Sequence, residues 1–464
     1  MRRDAGSREV SFAQGFPLAV TGTAPLTIPI AGWVSLDAIN TNQLKCVEDG
    51  GTAVVAKLNP PLPPRMCVDT PSEENRVSFY GWLEIEGNNI ATSHCVNLQN
   101  VGSSESIFSV QIERDQTQPV NIANNSAEVA ICMAIFNPDS VRFKRQIESI
   151  QQQSFSNWVC IINDDGSSVE STQSVLEIIG NDSRFHYFRN ESNIGFYHNF
   201  EMAISRVPAE IKYIALSDQD DYWYENKLDR LMGAMDDSTA LVYSDMRITD
   251  ESGNELSSSY WYNRRNSWTD MQAMLVANTV TGAACLFRSS LKDMLLPFPT
   301  RVGDAFHDHW IACCAMSVGN ISYVDEALYD YYQYDNSVIG HCGFAENSTA
   351  GNRPKTSFLG LLNPLNWKSF LGRLIGSSLA VYWQECRRIE SICKNIKLRL
   401  PDSVAAKPEL ETYAGGLSSV WRLFKAHFQF QDPTRLTNNA ELRLARGYLV
   451  FVLLSRFPSI RGFK

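Results

Sequence analysis

From Val129 onward the chain alternates short apolar runs with stretches whose apolar residues recur every three or four positions, and this alternation constrains the fold more than any other feature. Val129 to Phe136, Trp158 to Ile162, Phe185 to Phe188, Tyr213 to Leu216 and Ala240 to Tyr243 have the length and residue types of buried strands. Between them Phe143, Ile147 and Ile150, then Val175, Leu176 and Ile179, then Phe196, Phe200, Ala203 and Ile204, then Leu228, Leu231, Met232 and Met235 fall at helical spacing. Ser167 and Glu170 form a capping box that opens the second helix. Repeated strand and helix units predict an α/β fold with a mostly parallel sheet covered on both faces, binding ligands outside the carboxyl ends of its strands.

The flanks read differently. Residues 1 to about 118 are rich in Gly, Pro, Asn, Thr and Val, with short alternating runs such as Val77 to Ile85, which predicts an N-terminal β-sandwich. A polar linker leads to the α/β region, residues 126–342. Residues 357–464 read as helical: Leu371, Ile375, Leu379, Tyr382, Cys386, Ile389 and Cys393 predict one long amphipathic helix, with core packing or a homo-oligomer seam as its alternatives. At 464 residues the chain exceeds a single core, and its formal net charge of -10 argues against a nucleic-acid partner. Eleven cysteines without CxxC or zinc spacing predict buried thiols in a reducing compartment, hence the cytoplasm. The longest apolar run, Tyr448 to Leu454, is too short to span a bilayer. Flanked by Arg443, Arg446, Arg456, Arg461 and Lys464, it is a candidate for peripheral contact with the anionic inner face of the cell membrane, against the alternative of a docked terminal helix.

In an α/β fold the polar residues after each strand carry the chemistry. They are Phe136-Asn137-Pro138, Asn163-Asp164-Asp165-Gly166-Ser167 and Ser217-Asp218-Gln219-Asp220-Asp221, and their strands bring them to one crevice. Taken singly, each is also ordinary turn chemistry. Three carboxylates at the exit of a buried strand repel one another, so a divalent cation is expected among them.

With Asn193-Ile194-Gly195 before a helix, these segments resemble the family 2 glycosyltransferases, inverting enzymes of the GT-A fold, over about residues 128–340. Tyr243-Ser244-Asp245, Asn278 to Ala283 and His307-Asp308-His309-Trp310 look most like bacterial rhamnosyltransferase-type members. The resemblance implies a nucleotide-sugar donor such as dTDP-L-rhamnose, a polysaccharide, O-antigen or lipid-linked glycan acceptor, and Mg2+ or Mn2+. It places Phe136, Asn137, Asp164, Asp165, Asn193, Gly195 and Asp218 along the donor: Phe136 lining the base pocket, Asp165 at the pyrimidine edge, and Asp218 at the ribose and the metal. Asp220 is the main metal ligand. Asp164 either joins the donor site or braces the turn, and Asp221 is either a supporting or a structural acid.

Direct displacement at the anomeric carbon needs a base on the face opposite the leaving group, and Asp308 fits, projecting from a helix start with Ile311, Cys314, Ala315 and Val318 on its buried side. Its alternative is an N-cap. His307 and His309 tune or orient Asp308 or meet the acceptor, and Gly282 allows either close backbone approach or a tight strand entry. Where similar sequences carry an Arg-Gln-His type element, this chain reads Tyr331-Tyr332-Gln333-Tyr334, so another group must supply the cations there. The rival readings are a sugar nucleotidyltransferase and a non-catalytic glycan-binding protein.

Overall fold

A computed structural model describes residues 10–12, 19–21, 24–35, 44–48, 54–58, 76–85, 93–100, 106–115, 119–120, 127–262, 266–334, 364–401, 407–413, 415–429 and 440–456. In the N-terminal part, strands β1 (Val10–Phe12), β2 (Ala19–Thr21), β3 (Leu26–Ser35), β4 (Leu44–Glu48), β5 (Val54–Leu58), β6 (Arg76–Ile85), β7 (Ser93–Asn100) and β8 (Ser106–Asp115) hydrogen-bond in the order β1-β3-β6-β5-β4-β7-β8-β2. Val54 to Ala56 of β5 pair with β4, while Lys57 and Leu58 pair with β6, so this strand joins two four-stranded halves.

The central part follows the expected alternation: β9 (Val129–Ile135), α1 (Ser140–Gln151), β10 (Trp158–Asp164), α2 (Val169–Ile179), β11 (Phe185–Arg189), α3 (Phe196–Ser205), β12 (Tyr213–Ser217), β13 (Tyr222–Trp223), α4 (Lys227–Gly233), β14 (Thr239–Thr249), β15 (Glu255–Ser257), α5 (Met271–Val276), β16 (Cys285–Arg288), α6 (Lys292–Leu295), α7 (His307–Val318) and β17 (Asn320–Tyr332). The sheet order is β11-β10-β9-β12-β16-β14-β17-β13, with β15 on β14. Strands β11, β10, β9 and β12 are parallel, and every residue of β10 is buried, as a strand covered on both faces requires. The expectation of a mostly parallel sheet fails beyond β12. There β16 runs antiparallel to both β12 and β14, and β13 runs antiparallel to β17, so half of the pairings are antiparallel. The four residues of β16 are too few to carry a readable period.

Three local readings also change. Ser168, not Ser167, caps α2 by accepting the Ser171 N–H at 3.2 Å. Leu176 of α2 and Val318 of α7 face outward, 45% and 50% exposed: α2 buries only Val175 and Ile179, and Val318 is the last residue of an otherwise largely buried helix. Met235 lies beyond the end of α4.

The C-terminal helices fix the remaining geometry. Pro364–Val381, a π-helical turn at Tyr382–Cys386, and Arg387–Arg399 run on from one another as the predicted long helix, with Tyr382, Cys386, Ile389 and Cys393 buried. The last helix, Ala440–Arg456, docks on it: Phe451 stacks on Tyr382 at 3.7 Å and Tyr448 meets the same ring edge-on at 5.7 Å. Among the described residues no helix is long and apolar enough to cross a membrane. Cys132, Cys160, Cys285, Cys313, Cys314, Cys386 and Cys393 are buried free thiols, as expected.

The helix Arg387–Arg399 also ties the three parts together. Asn395 accepts the Thr27 N–H at 2.9 Å and donates to the Thr27 carbonyl at 3.2 Å, so its amide pairs with β3 as a neighbouring strand would. Arg399 donates to the carbonyls of Pro25 (2.9 Å), Met294 (2.7 Å), Leu295 (3.1 Å) and Pro297 (2.7 Å). Replacing this guanidinium by a methionine of similar reach leaves those carbonyls unpaired, and Arg399→Met is expected to cost about 2–4 kcal/mol in urea unfolding. A loss below about 0.5 kcal/mol, the level of an ordinary surface substitution, would show that the hub contributes little.

Candidate active site

The acid cluster begins where β12 ends at the middle of the sheet. Ser217 receives a hydrogen bond from Gln146 of α1 at 2.8 Å and donates to the Asp218 carbonyl at 2.9 Å, which starts the turn. Gln219 then accepts the Phe136 N–H at 2.9 Å and joins the ends of β12 and β9. Asp221 is 1% exposed, and its Oδ2 has no hydrogen-bond partner among the described residues. The chain next pairs briefly with β17 through β13 and enters α4 at Lys227.

Burial sets the electrostatics of this loop. It pushes Asp218 up to about 7, with help from the negative charges of Asp220 and Asp308, while Lys227 opposes the shift. Asp221 is raised by burial and by Asp218 and Asp220. Burial also raises Asp220, but Arg142 and Arg145 pull it back. Lys227 is wholly buried: its Nζ donates to the Ala283 carbonyl at 2.5 Å and lies 3.7 Å from the centre of Trp223 and 4.3 Å from that of Tyr329. Burial lowers its pKa, against the pull of Asp221, Cys285 and Asp218.

The other strand ends are laced to this one. Asn137, in the left-handed region at φ 41°, receives a hydrogen bond from the Ser168 N–H at 2.8 Å and donates its own N–H to Ser167 Oγ at 2.8 Å. Asp164 accepts from the Ser167 N–H at 2.9 Å and from the Tyr187 hydroxyl at 2.5 Å, so its carboxylate braces the turn. Asp165 accepts the N–H groups of Ile194 and Gly195, both at 2.8 Å, and the Asn190 amide at 3.0 Å. Its carboxylate thereby holds the Asn193-Ile194-Gly195 turn at the start of α3, where Asn193 accepts from the Gly195 N–H at 3.2 Å. Phe136, 46% exposed, presents its ring at the end of β9.

Asp308 comes from the first turn of α7 and lies close enough to Asp218 to raise its pKa. Its carboxylate accepts the N–H groups of His309 (2.6 Å) and Gly282 (3.2 Å), and burial outweighs both, raising it to about 6. The helix cap is Phe306, without a side-chain bond, so Asp308 does not serve as N-cap. The flanking histidines are both depressed by burial to about 3 and are neutral at ordinary pH. His309 is pinned to the Met274 carbonyl at 2.7 Å. His307 stacks on Phe200 at 3.9 Å, with no hydrogen-bond partner for either ring nitrogen among the described residues.

Besides Lys227, two side chains at the site went unread in the sequence. Arg142 and Arg145 stand three apart on α1, so they share a face. The Arg142 guanidinium lies 3.5 Å over the Tyr334 ring, and that of Arg145 lies 3.4 Å over Tyr332. Arg145 donates to the carbonyls of Asp220 and Asp221 and to the Tyr334 hydroxyl. Charged residues on a helix usually mark its solvated face; the signal available was their position one turn beyond the end of β9.

Residues 130–295 match the model of glycosyl transferase family 2. These residues are a family 2 glycosyltransferase domain. It is 29% identical over 131 residues to an uncharacterized glycosyltransferase, MJ1057, of Methanocaldococcus jannaschii, covering 28% of this chain and 44% of that protein. It is 31% identical over 107 residues to the UDP-Glc:alpha-D-GlcNAc-diphosphoundecaprenol beta-1,3-glucosyltransferase WfgD of Escherichia coli, covering 23% and 40%. The chain thus spans less than half the length of the curated relatives it matches. Among solved structures it is similar to S. aureus TarS residues 1–349, with a TM-score of 0.37 at 15% identity, covering 66% of this chain and 92% of that one. The sheet of parallel strands followed by antiparallel β16, with helices packed against it, is this family's GT-A fold.

Gly282 marks the tightest packing beside Asp308: a Cβ there would stand 2.8 Å from His307 Nε2 and 3.7 Å from the Asp308 Cβ. Gly282→Ala is therefore expected to lose about 1–3 kcal/mol of stability. The strain is with the imidazole, so Gly282→Ala combined with His307→Ala should lose less than the sum of the single changes. Strict additivity in the double-mutant cycle would refute that contact.

Proposed function

We propose that this protein is an inverting, metal-dependent glycosyltransferase that moves a sugar from a nucleotide donor to a glycan acceptor. The observation that carries the reading is the convergence of Asp308, from α7, on the acid turn after β12, with the donor-side turns of β9 and β10 laced to the same place. The donor-set chemistry fits a divalent cation. Among the described residues no three His, Cys, Asp or Glu side chains are placed to hold a metal by themselves. Mg2+ and Mn2+ sites of the kind that use one or two carboxylates and complete their shell with phosphate and water need no more, and Asp220 and Asp218 supply those carboxylates. When bound, the cation absorbs negative charge on the departing diphosphate.

Asp308 takes the acceptor hydroxyl proton as the acceptor oxygen bonds to the anomeric carbon and the bond from that carbon to the diphosphate breaks. Neutral His307 and His309 leave its basicity undiminished. Phe136, Asn137, Asn193 and Gly195 line the donor, while Asp164 and Asp165 hold their turns in place. Of donors, a dTDP-linked deoxysugar such as dTDP-L-rhamnose fits the rhamnosyltransferase-like motifs, with a polysaccharide, O-antigen or lipid-linked glycan as acceptor. Residues 1–118 act as an accessory β-sandwich. The outward Leu449 and Leu453 of the last helix provide peripheral contact with the membrane that presents a lipid-linked acceptor, on its cytoplasmic side.

The test is donor turnover with Mn2+ or Mg2+ against EDTA, which should abolish it. Asp308→Asn should still bind donor while transfer falls about 100-fold to 10,000-fold, and near-normal turnover would overturn the base assignment. Because Asp308 works only when ionised, transfer should rise with pH through about 6.

Metal linkage gives a second check. Asp218 has a raised folded pKa, so its ionisation between the ordinary carboxylate value and about 7 destabilises the metal-free protein as pH rises, and a cation relieves that cost. The increase in Tm on adding Mn2+ should be larger at pH 8 than at pH 5.5 and should be lost in Asp220→Asn. An equal increase at both values would contradict the site.

A further inference from the structure

We infer that Arg142 and Arg145 of α1 form the anion-binding half of the donor site, where their guanidinium groups hold the diphosphate bridge of the sugar nucleotide. The inference rests on the transferase reading and adds to it the residues that replace the cations missing after β17.

Their placement requires a function beyond packing. Asp139 caps α1 by accepting the Val141 and Arg142 N–H groups, and this starts the helix directly beside the end of β9. Both arginines then reach across to the acid turn. Arg145 donates to two of its carbonyls, and Arg142 and Arg145 both lower the pKa of the Asp220 carboxylate. The tyrosines at the end of β17 orient the two cations: their rings lie 6.3 Å apart and 13° from parallel, with one guanidinium on each. Stacking of this kind fixes the plane of an arginine; the Nε and Nη2 of Arg145 are spent on the acid turn and Tyr334, which leaves its Nη1 and the edge of Arg142 to meet an oxyanion. Among the described residues neither arginine makes a hydrogen-bonded ion pair with a carboxylate: Arg145 bonds carbonyls and a hydroxyl, and the ion pair of Arg142 with Glu251 is long, at 3.6 Å, with both side chains part-exposed.

Arg145 bonds the carbonyls of the same turn that would hold a divalent cation, so guanidinium groups and cation would together face the dianionic diphosphate of the donor. As the bond from the anomeric carbon to the diphosphate breaks, the electron pair stays on the terminal phosphate oxygen while the proton of the acceptor goes to Asp308. The growing phosphate charge falls beside planar donors suited to paired N–H···O bonds.

Calorimetric titration in Mn2+ with UDP, GDP and dTDP, each beside its own nucleoside, isolates the diphosphate contribution. The wild-type protein should bind one of the diphosphates far more tightly than the matching nucleoside. Arg142→Gln and Arg145→Gln should each lower that diphosphate affinity about tenfold or more with nucleoside affinity nearly unchanged, and in Arg142→Gln with Tm nearly unchanged as well. Tyr334→Phe, which keeps the ring but removes the Arg145 bond, should retain most of it. Arg145 also braces the acid turn; if its glutamine variant unfolds, Arg142→Gln and Arg142→Lys decide the question, the lysine recovering part of the affinity. Unchanged diphosphate preference in folded variants overturns the inference and leaves the transferase reading standing. Failure of the wild-type protein to bind any nucleoside diphosphate defeats both.

Discussion

The structure depends on burying several carboxylates at the end of one strand without losing the sheet around them. Asp221 is almost fully enclosed, Asp218 and Asp220 follow the same turn, and taking such groups out of water costs several kcal/mol each unless charge is supplied nearby. Lys227 supplies part of it from below. Its ammonium is held by a carbonyl of the segment before β16 and by the faces of Trp223 and Tyr329, so the cation is fixed by three different elements. The same contacts draw β13 against β17. That pairing sets where Tyr332 and Tyr334 emerge, and with them the two arginines of α1.

Rigidity at the crevice follows from hydrogen bonds between strand ends rather than from the strands alone. Gln219 ties β12 to β9, Asn137 ties β9 to the turn after β10, and Asp165 ties that turn to the start of α3. A turn residue that accepts backbone N–H groups cannot shift without leaving them unpaired, so each link is costly to break. The donor-side acids are therefore largely committed to holding backbone in place, while Asp218, Asp220 and Asp308 remain for charge chemistry. A preorganised polar site of this sort needs little rearrangement when charge develops in it.

Much of this was legible in the residues. The parallel strands β9 to β12 and helices α1 to α3 have clear periods because their buried faces are wide and their flanking turns are polar. The long C-terminal helix was readable for the same reason, since its heptad-like spacing passes through the π-helical turn at Tyr382–Cys386 without losing the buried face. What escaped depends on tertiary contact. The short antiparallel β16 has no period of its own, and Leu176 falls on the helical stripe yet clears the sheet. Lys227, Arg142 and Arg145 look like ordinary helix-surface charges in sequence, and only the packing of β13 and β17 against α1 and α4 brings them under and beside the acid turn.

The two ends of the site divide the carboxylates by environment. At one end, guanidinium groups favour an ionised Asp220, the state a cation needs in order to bind. At the other, Asp308 sits among buried groups with only backbone N–H donors for company, and the histidines on either side are kept neutral by their own burial. A protonated imidazole next to Asp308 would hold its proton affinity down and weaken it as a base. Stacking His307 on Phe200 and pinning His309 to the Met274 carbonyl prevents that. The glycine at position 282 is part of the same arrangement, because its missing side chain is the space into which His307 packs. Placing one carboxylate beside fixed cations and the other among neutral groups is how a single fold obtains a ligand for positive charge and a proton acceptor within one crevice.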